Sequence, residues 1–414
     1  NTASIMDLLA PGATNGSSSL SIPSGTGFSG WAGTSFSAPH VAGAFALLDQ
    51  LYPKASVAQR TAHLRSTGVP VGPYRRLRLR PPNQALNAQI LFPADAPIAG
   101  TARSAVGDFD GDGHADVLAH GPGSAPDRIS YGTDDWSLSV RNHTVVGTYT
   151  PLAGSFTGAA DGPDDILWYA PGAAADALWT GQSNRQPTSS PLTVNGTFNP
   201  LVGDFDGDGW DDVFWYAPGS AGDYVWYGGA SGFTSRSVSA TGTWRAAVGD
   251  FNGDTRDDIL LHAPGAATDA VWRGSATRGA FAKSTVVLTS TFTLVVANVD
   301  GDADDDVVLY QPGAGSDYLW RGGPGVGGGG TAGGFAQSSL AINGTYRAVV
   351  GDLDGDDDDE ILWYAPGAAT DWIWFGQPAG ALPSRQVSVL GTYTPLAADL
   401  DADDGDELVF FSSS

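Results

Sequence analysis

The chain of 414 residues has room for two or three domains, and its 42% hydrophobic residues with 13 Trp suffice for packed cores, which excludes a chain disordered throughout. The formal net charge is -25 although charged residues make up only 16% of the sequence, so acid is concentrated in a few places and nucleic acid is excluded as an expected partner. There is no cysteine, hence no disulfide, thiolate chemistry or cysteine-based zinc site, and no window reaches the roughly 18 apolar residues of a membrane span.

The first residues, NTASIMDLLAPG, carry no signal peptide and read as a stretch already inside a domain. GWAGTSFSAPHVAG, at 30 to 43, mounts Ser35 on a turn that passes through Pro39 into a helix. That helix, from Phe36 to Tyr52, has a nearly continuous apolar surface, as a buried helix should. A serine at a helix N-terminus gains from the helix dipole, and its own N–H can face a developing oxyanion. A second helix follows in ASVAQRTAHLRSTG, with a capping box of Ser56 and Gln59 and a stop at Gly68. In YRRLRLRPP the arginines alternate with Leu77 and Leu79, which favours a half-exposed strand over an anion patch. Composition changes near residue 88, and residues 88–99 lead out as a linker or accessory strand.

GTSFSAPHVAG is similar to the serine motif of the subtilisin-like proteases, Gly-Thr-Ser-x-x-x-Pro-x-Val-Ala-Gly, at every defining position. DLLAPG, LRSTGVPV and NQAL resemble the segments that flank that motif. The resemblance implies that residues 1–87 are the C-terminal portion of an α/β catalytic domain, with Ser35 the acyl-forming nucleophile of a serine endopeptidase acting on peptide or protein. It also implies that the triad aspartate, the triad histidine and the oxyanion-hole asparagine precede the motif by more than the 34 residues found before Ser35. His40 belongs to the motif, His63 to the second helix, and His114, His120, His143 and His262 to the repeats described next. The chain alone is therefore expected to be inactive, a fragment of such an enzyme.

From residue 100 the chain repeats itself. VGDFDGDGHADVLAHGPG, VGDFDGDGWDDVFWYAPG, VGDFNGDTRDDILLHAPG and VGDLDGDDDDEILWYAPG are copies of one unit, and seven units begin, at Asp108, Ser155, Asp204, Asp250, Asn298, Asp352 and Asp399. Each reads as four short strands, as in GTYRAVVGDL, DEILWYAPG, DWIWFG and RQVSVLGTY, which is one propeller blade per repeat. The seventh copy stops after DELVFFSSS, two strands short. An outer strand from QILFPADAPIAG would complete it, so the expected fold is multidomain: part of a subtilisin-like domain, then an all-β propeller of about seven blades over residues 100–414. GGPGVGGGGTAGG, at 322 to 334, reads as a flexible insertion in the fifth unit.

The acidic loops carry the clearest chemistry. In the first, Asp108, Asp110 and Asp112 alternate along a tight loop, the carbonyl of His114 takes the seventh position and Asp116 the ninth. Hard oxygen donors at this spacing fit calcium. The same frame holds Asp204, Asp206, Asp208, Trp210 and Asp212; Asp250, Asn252, Asp254, Arg256 and Asp258; and Asn298, Asp300, Asp302, Asp304 and Asp306. It recurs at Asp352, Asp354, Asp356, Asp358 and Glu360, and at Asp399, Asp401, Asp403, Gly405 and Glu407. The second copy has Ser155 and Thr157 at the first ligand positions and two extra residues, so it is expected to stay empty. In all, 34 of the 45 acidic residues lie in the seven loops, and six divalent ions would take the formal charge from -25 to -13. Helices do not flank the loops, which disfavours an EF-hand.

This repeat resembles the FG-GAP or VCBS family over residues 100 to 411. The resemblance implies an integrin-type propeller with calcium in its loops, a secreted protein, and a propeller that binds proteins or carbohydrate or serves as a spacer. An adhesive, lectin-like protein without enzymatic function is the competing reading. Trp168, Tyr169, Trp215, Tyr216, Trp363 and Tyr364 are expected mostly to pack between blades, with sugar platforms as the alternative.

Overall fold

The structure is a computed structural model. It describes the short strands at 8–9, 18–20, 28–30, 69–71 and 74–76, and residues 103–412 except 134–137, 173–174, 220–221, 266–268, 314, 329–331, 368, 378–380, 390, 401 and 403–404. The chain divides into two compact units, the first spanning Asn1–Asn87 and the second holding the repeats.

In the first unit Leu8–Leu9 pairs in parallel with Tyr74–Arg76, which pairs antiparallel with Val69–Val71, while Ser18–Leu20 and Phe28–Gly30 form a separate antiparallel pair. The start of DLLAPG and the start of YRRLRLRPP are thus both strands. Ser35, His40 and the two expected helices lie outside the described residues.

The second unit contains six four-stranded antiparallel sheets, each with its strands side by side in chain order. The first comprises Arg103–Gly107, Asp116–His120, Asp127–Tyr131 and Ser139–His143, and the sixth Arg347–Gly351, Glu360–Tyr364, Asp371–Trp374 and Ser384–Val387. Their second strands, DVLAH, DILWY, DVFWY, DILLH, DVVLY and EILWY, are buried along their whole length. A continuous apolar run is what a strand needs when neighbouring blades cover both of its faces. The outer strands are largely exposed, as in TSSPL and TSRSV. The cores accordingly lie between blades: Phe156, Leu167 and Tyr169 of the second pack with Val213 and Trp215 of the third, and Phe214 and Tyr216 of the third with Ile259 and Leu261 of the fourth.

The blade count corrects the sequence expectation. Among the described residues there are six complete blades, not about seven, followed by a two-stranded hairpin of Tyr393–Ala398 and Glu407–Ser412. This hairpin corresponds to the inner pair of a blade, and that pair carries the apolar faces. Phe410 packs on Tyr364 of the sixth blade with ring centroids 5.9 Å apart, while Leu400, Val409 and Phe411 share a cluster with Val117 and Ala119 of the first. The amides of Ala115 and Thr133 donate to the carbonyls of Asp399 and Leu400, at 2.7 and 2.9 Å. Two inner strands therefore join the sixth blade to the first. The outer strand expected from residues 88–99 lies outside the described residues.

The Gly-rich insertion lies between the third and fourth strands of the fifth blade, Asp317–Arg321 and Ala336–Leu340. Its Val326, with the adjoining Phe335, is buried in the same cluster as Trp320.

Candidate metal centres

Strand register fixes where the acidic residues fall. The ladders of the first two strands end on Gly107 opposite Asp116, Gly203 opposite Asp212, Gly249 opposite Asp258, Ala297 opposite Asp306, Gly351 opposite Glu360 and Ala398 opposite Glu407. Each acidic loop is therefore a hairpin connection, and its ninth-position carboxylate is the first residue of the buried second strand. Asp116, fully buried, accepts the amides of Phe109 at 2.8 Å and Gly132 at 3.0 Å. Asp212 accepts those of Phe205 and Gly228, and Glu360 those of Leu353 and Asp354.

The first-position carboxylate shapes the loop. Asp108 accepts the amides of Gly111 at 2.7 Å and Gly113 at 2.8 Å, and Asp204 those of Gly207 and Gly209. The glycines make this possible, because Gly111 and Gly113 take φ of 73° and 88°. The fifth-position carboxylates Asp112, Asp208, Asp254, Asp302 and Asp356 each accept the amide of the seventh residue: His114, Trp210, Arg256, Asp304 and Asp358. The fifth loop keeps the turn with Asn298, whose side chain accepts the Gly301 amide.

Three loops gather carboxylates. Asp108, Asp110 and Asp116, then Asp204, Asp206 and Asp212, then Asp352, Asp354 and Asp356, each place one oxygen per residue within 4.8 Å of the others. At the third position one oxygen of Asp110, of Asp206, of Asp300 and of Asp354 is buried without a hydrogen-bond partner. Asp110 is only 3% exposed and Asp206 only 7%. A buried acceptor left unmet costs about 1–3 kcal/mol, and more when charged. Burial accordingly pushes Asp116 and Asp212 up to about 8, burial and then Asp354 push Glu360 to about 9, and burial with the adjacent Asp356 pushes Asp354 to about 7. A hard divalent cation is the partner that this set of oxygen donors fits.

The remaining loops differ. In the fourth, Asn252 stands at the third position and its side-chain N–H donates to Asp258 at 2.7 Å, while Arg256 pairs with Asp254 at 2.7 Å. In the second, the Thr157 hydroxyl donates to Asp165 at 2.7 Å and that of Ser155 to the Ala160 carbonyl, so hydroxyls stand where other loops have carboxylates. In the seventh, Glu407 accepts the Leu400 amide at 3.1 Å, while Asp401 and Asp403 lie outside the described residues. Asp399 and Gly405 flank them in the same hairpin loop.

Sequence reasoning missed two sets of residues. Arg185, from the second blade, pairs with Asp110 and, at 3.1 Å, with Asp112 of the first loop, its guanidinium 4.7 Å over the Tyr131 ring. Arg278, from the fourth blade, pairs with Asp206 and Asp208 of the third loop and lies 5.2 Å over Tyr227. Each arginine follows a third-strand exit glycine, Gly181 or Gly274, by four residues, and that spacing is the signal the sequence held. The second set opens the third strands. Asp176 accepts the amides of Ala170 and Val194, Asp223 those of Ala217 and Ala240, and Asp371 those of Ala365 and Val389. These buried carboxylates tie one strand to its flanking turns.

Residues 1–89 match the model of the subtilase family, and residues 204–261 match that of an FG-GAP-like repeat. The repeats are FG-GAP-like and fold as a propeller. No curated protein shows significant similarity to the chain. Among solved structures, a lectin of Agrocybe aegerita, described by its recognition of non-reducing terminal N-acetylglucosamine, is similar with a TM-score of 0.54 and 16% identity over 70% of this chain and 81% of that one. A protein of unknown function from Desulfotomaculum acetoxidans gives 0.44 and 8% over 76% and 89%, and the exotype rhamnogalacturonan lyase YesX 0.41 and 12% over 75% and 72%. Among the described residues no helix is long and apolar enough to cross a membrane.

Proposed function

We propose that this chain is part of a secreted, subtilisin-like serine endopeptidase whose FG-GAP-like propeller is held in shape by calcium and carries a binding surface for carbohydrate or protein. The observation that carries the calcium reading is the recurrence, in four loops, of a buried and unpartnered third-position oxygen, at Asp110, Asp206, Asp300 and Asp354. The ions would be held by the first-, third-, fifth- and ninth-position side chains with the seventh-position carbonyl, and would supply positive charge beyond that of the single arginines paired with Asp110, Asp206 and Asp300. The sixth loop has the strongest claim, since no arginine side chain is paired with Asp352, Asp354 or Asp356 among the described residues. The second loop takes none.

The protease half of the reading rests on the subtilase match over residues 1–89, which includes Ser35. There Ser35 attacks the scissile carbonyl, and a histidine and an aspartate outside this chain serve as base and orienting group. The fold likeness to a lectin favours carbohydrate as the ligand of the propeller. Metal analysis of the full chain after exhaustive dialysis tests the calcium reading. About six ions per chain are expected, and one or none overturns it.

A further inference from the structure

The seam between the fifth and sixth blades holds a cavity of about 200 Å³, lined by Ala341, Ile342, Asn343, Tyr346, Trp363, Trp372, Trp374 and Ser384. Ala341 to Tyr346 follow the outer strand of the fifth blade, Trp363 lies on the second strand of the sixth, Trp372 and Trp374 on its third, and Ser384 on its fourth. Among the described residues that line it are four aromatic rings and no charged side chain.

The other blades show why a cavity opens here. In the fourth, Trp272 pairs across the strands with Lys283, whose ammonium lies 3.4 Å from the ring centroid, and Phe281 packs at 5.7 Å. In the fifth, Trp320 pairs with Gln337, which accepts its indole N–H at 3.0 Å, and Phe335 stacks at 5.2 Å. In the third, Phe233 covers Trp226 at 5.4 Å. In the sixth blade Ser384 stands opposite Trp374, and the partly buried apolar neighbour on that side is Leu382. Serine stands opposite the tryptophan in the second and third blades as well, at Ser189 and Ser235, but in the third Phe233 covers the ring, and in the sixth Leu382 stands two residues before the serine where the third, fourth and fifth blades have a phenylalanine. The indole N–H of Trp363 is buried without a hydrogen-bond partner, as are those of Trp168 and Trp215 at the same place in the second and third blades, so it does not set this seam apart.

We propose that this seam binds one ring of a neutral sugar. A pyranose has apolar C–H faces that pack on indole and phenol rings, and hydroxyls that need a few donors and acceptors at the edge. Here Trp372, Trp374 and Tyr346 supply the faces, and the Asn343 carboxamide and the Ser384 hydroxyl supply the polar contacts. The volume lies below the ~300–1,000 Å³ of sites for larger ligands, so it suits a terminal residue of a glycan more than a run of several. The absence of charge in the lining selects neutral sugars over uronic or sialic acids. The proposal rests on the carbohydrate reading of the propeller and names its site.

The test is calorimetric titration of residues 1–414, in calcium, with the methyl glycosides of N-acetylglucosamine, glucose, galactose, mannose and glucuronic acid. Binding of at least one neutral glycoside is expected. Ser384→Lys, which places a lysine where the fourth blade has Lys283, should weaken it about tenfold or more without altering thermal stability. Trp372→Ala should do the same, and Ser235→Lys, opposite Trp226 in the third blade, should leave it unchanged. Binding that survives Ser384→Lys and Trp372→Ala overturns the site and leaves the carbohydrate reading standing. Binding of no glycoside overturns both, and preference for glucuronic acid overturns the neutral class.

Discussion

Asp164 of the second blade and Asp108 of the first are joined twice: the Asp164 amide donates to the Asp108 carbonyl at 2.7 Å, and its carboxylate accepts the Asp108 amide at 2.9 Å. The same pair of hydrogen bonds joins Asp211 to Ser155, Asp257 to Asp204, Asp305 to Asp250 and Asp359 to Asn298. The eighth loop position is thus a clasp between consecutive blades, distinct from the positions whose carboxylates converge within a loop. At the seam between the closing hairpin and the first blade that position is Ala115, which keeps the backbone bond to Asp399 but has no carboxylate to offer. Asp257→Ala leaves the half-buried amide of Asp204 without its acceptor and should cost about 1 kcal/mol in urea denaturation. A cost near zero would show that water replaces the carboxylate without penalty.

The four strands of each repeat and the place of its acidic loop were legible because both rest on local rules: a short buried apolar run, alternating flanks, and Asp-Gly turn chemistry. The packing role of Trp168, Tyr169, Trp215, Tyr216, Trp363 and Tyr364 was legible too, and each is at most 1% exposed. The blade count was not, because it depends on whether two inner strands suffice to bridge the sixth blade and the first. Nor were the partners of Asp164 or Arg185, which lie 56 and 75 residues away and show no periodicity to a reader of one blade. In a loop where nearly every second residue is acidic, converging, clasp and turn-closing carboxylates look alike until the register separates them.

Ser35 needs a base to become a nucleophile, and by the subtilase resemblance its histidine and aspartate come from sequence preceding the motif. Residues 1–414 alone should therefore form no adduct with a fluorophosphonate probe, as read by intact mass. Stoichiometric labelling that disappears in Ser35→Ala would place a working base within this chain.

Arg185 and Arg278 put a guanidinium against the carboxylates of the first and third loops, so on the proposed calcium reading arginine and calcium would compete for them. Arg278→Gln removes the competitor and leaves Asp206 and Asp208 free. Calcium affinity of that loop should rise about tenfold, equivalent to about 1.4 kcal/mol. Asp354→Ala, in the sixth loop, should instead lower the number of bound ions by one. Calorimetric calcium titration of both variants reads the two effects, and an Arg278→Gln protein that binds calcium more weakly would mean that the arginine helps to build the site.

The last prediction concerns pH. In the metal-free protein burial holds Asp116 and Asp212 at about 8 and Glu360 at about 9, against roughly 4 for an exposed carboxylate. A carboxyl whose folded value is raised binds its proton more tightly in the folded chain than in the unfolded one. Its stabilising contribution is therefore complete below about pH 4 and is lost as pH rises through about 8 to 9. The melting temperature of metal-stripped protein should fall steadily from about pH 5 to about pH 9, as each loop is forced to ionise against its neighbours. Calcium reverses the balance, because ligation requires the ionised form and each ion bound to the folded chain adds about 2.7 kcal/mol at a hundredfold excess over Kd. In calcium the melting temperature should stay nearly level across the same range, and the gap between the two curves should widen toward alkaline pH. Sodium chloride should narrow that gap only in part, since screening weakens repulsion without supplying ligand bonds. Parallel curves with and without calcium would mean that these carboxylates are not ligands, and a metal-free protein that gains stability with rising pH would mean that burial does not govern their protonation.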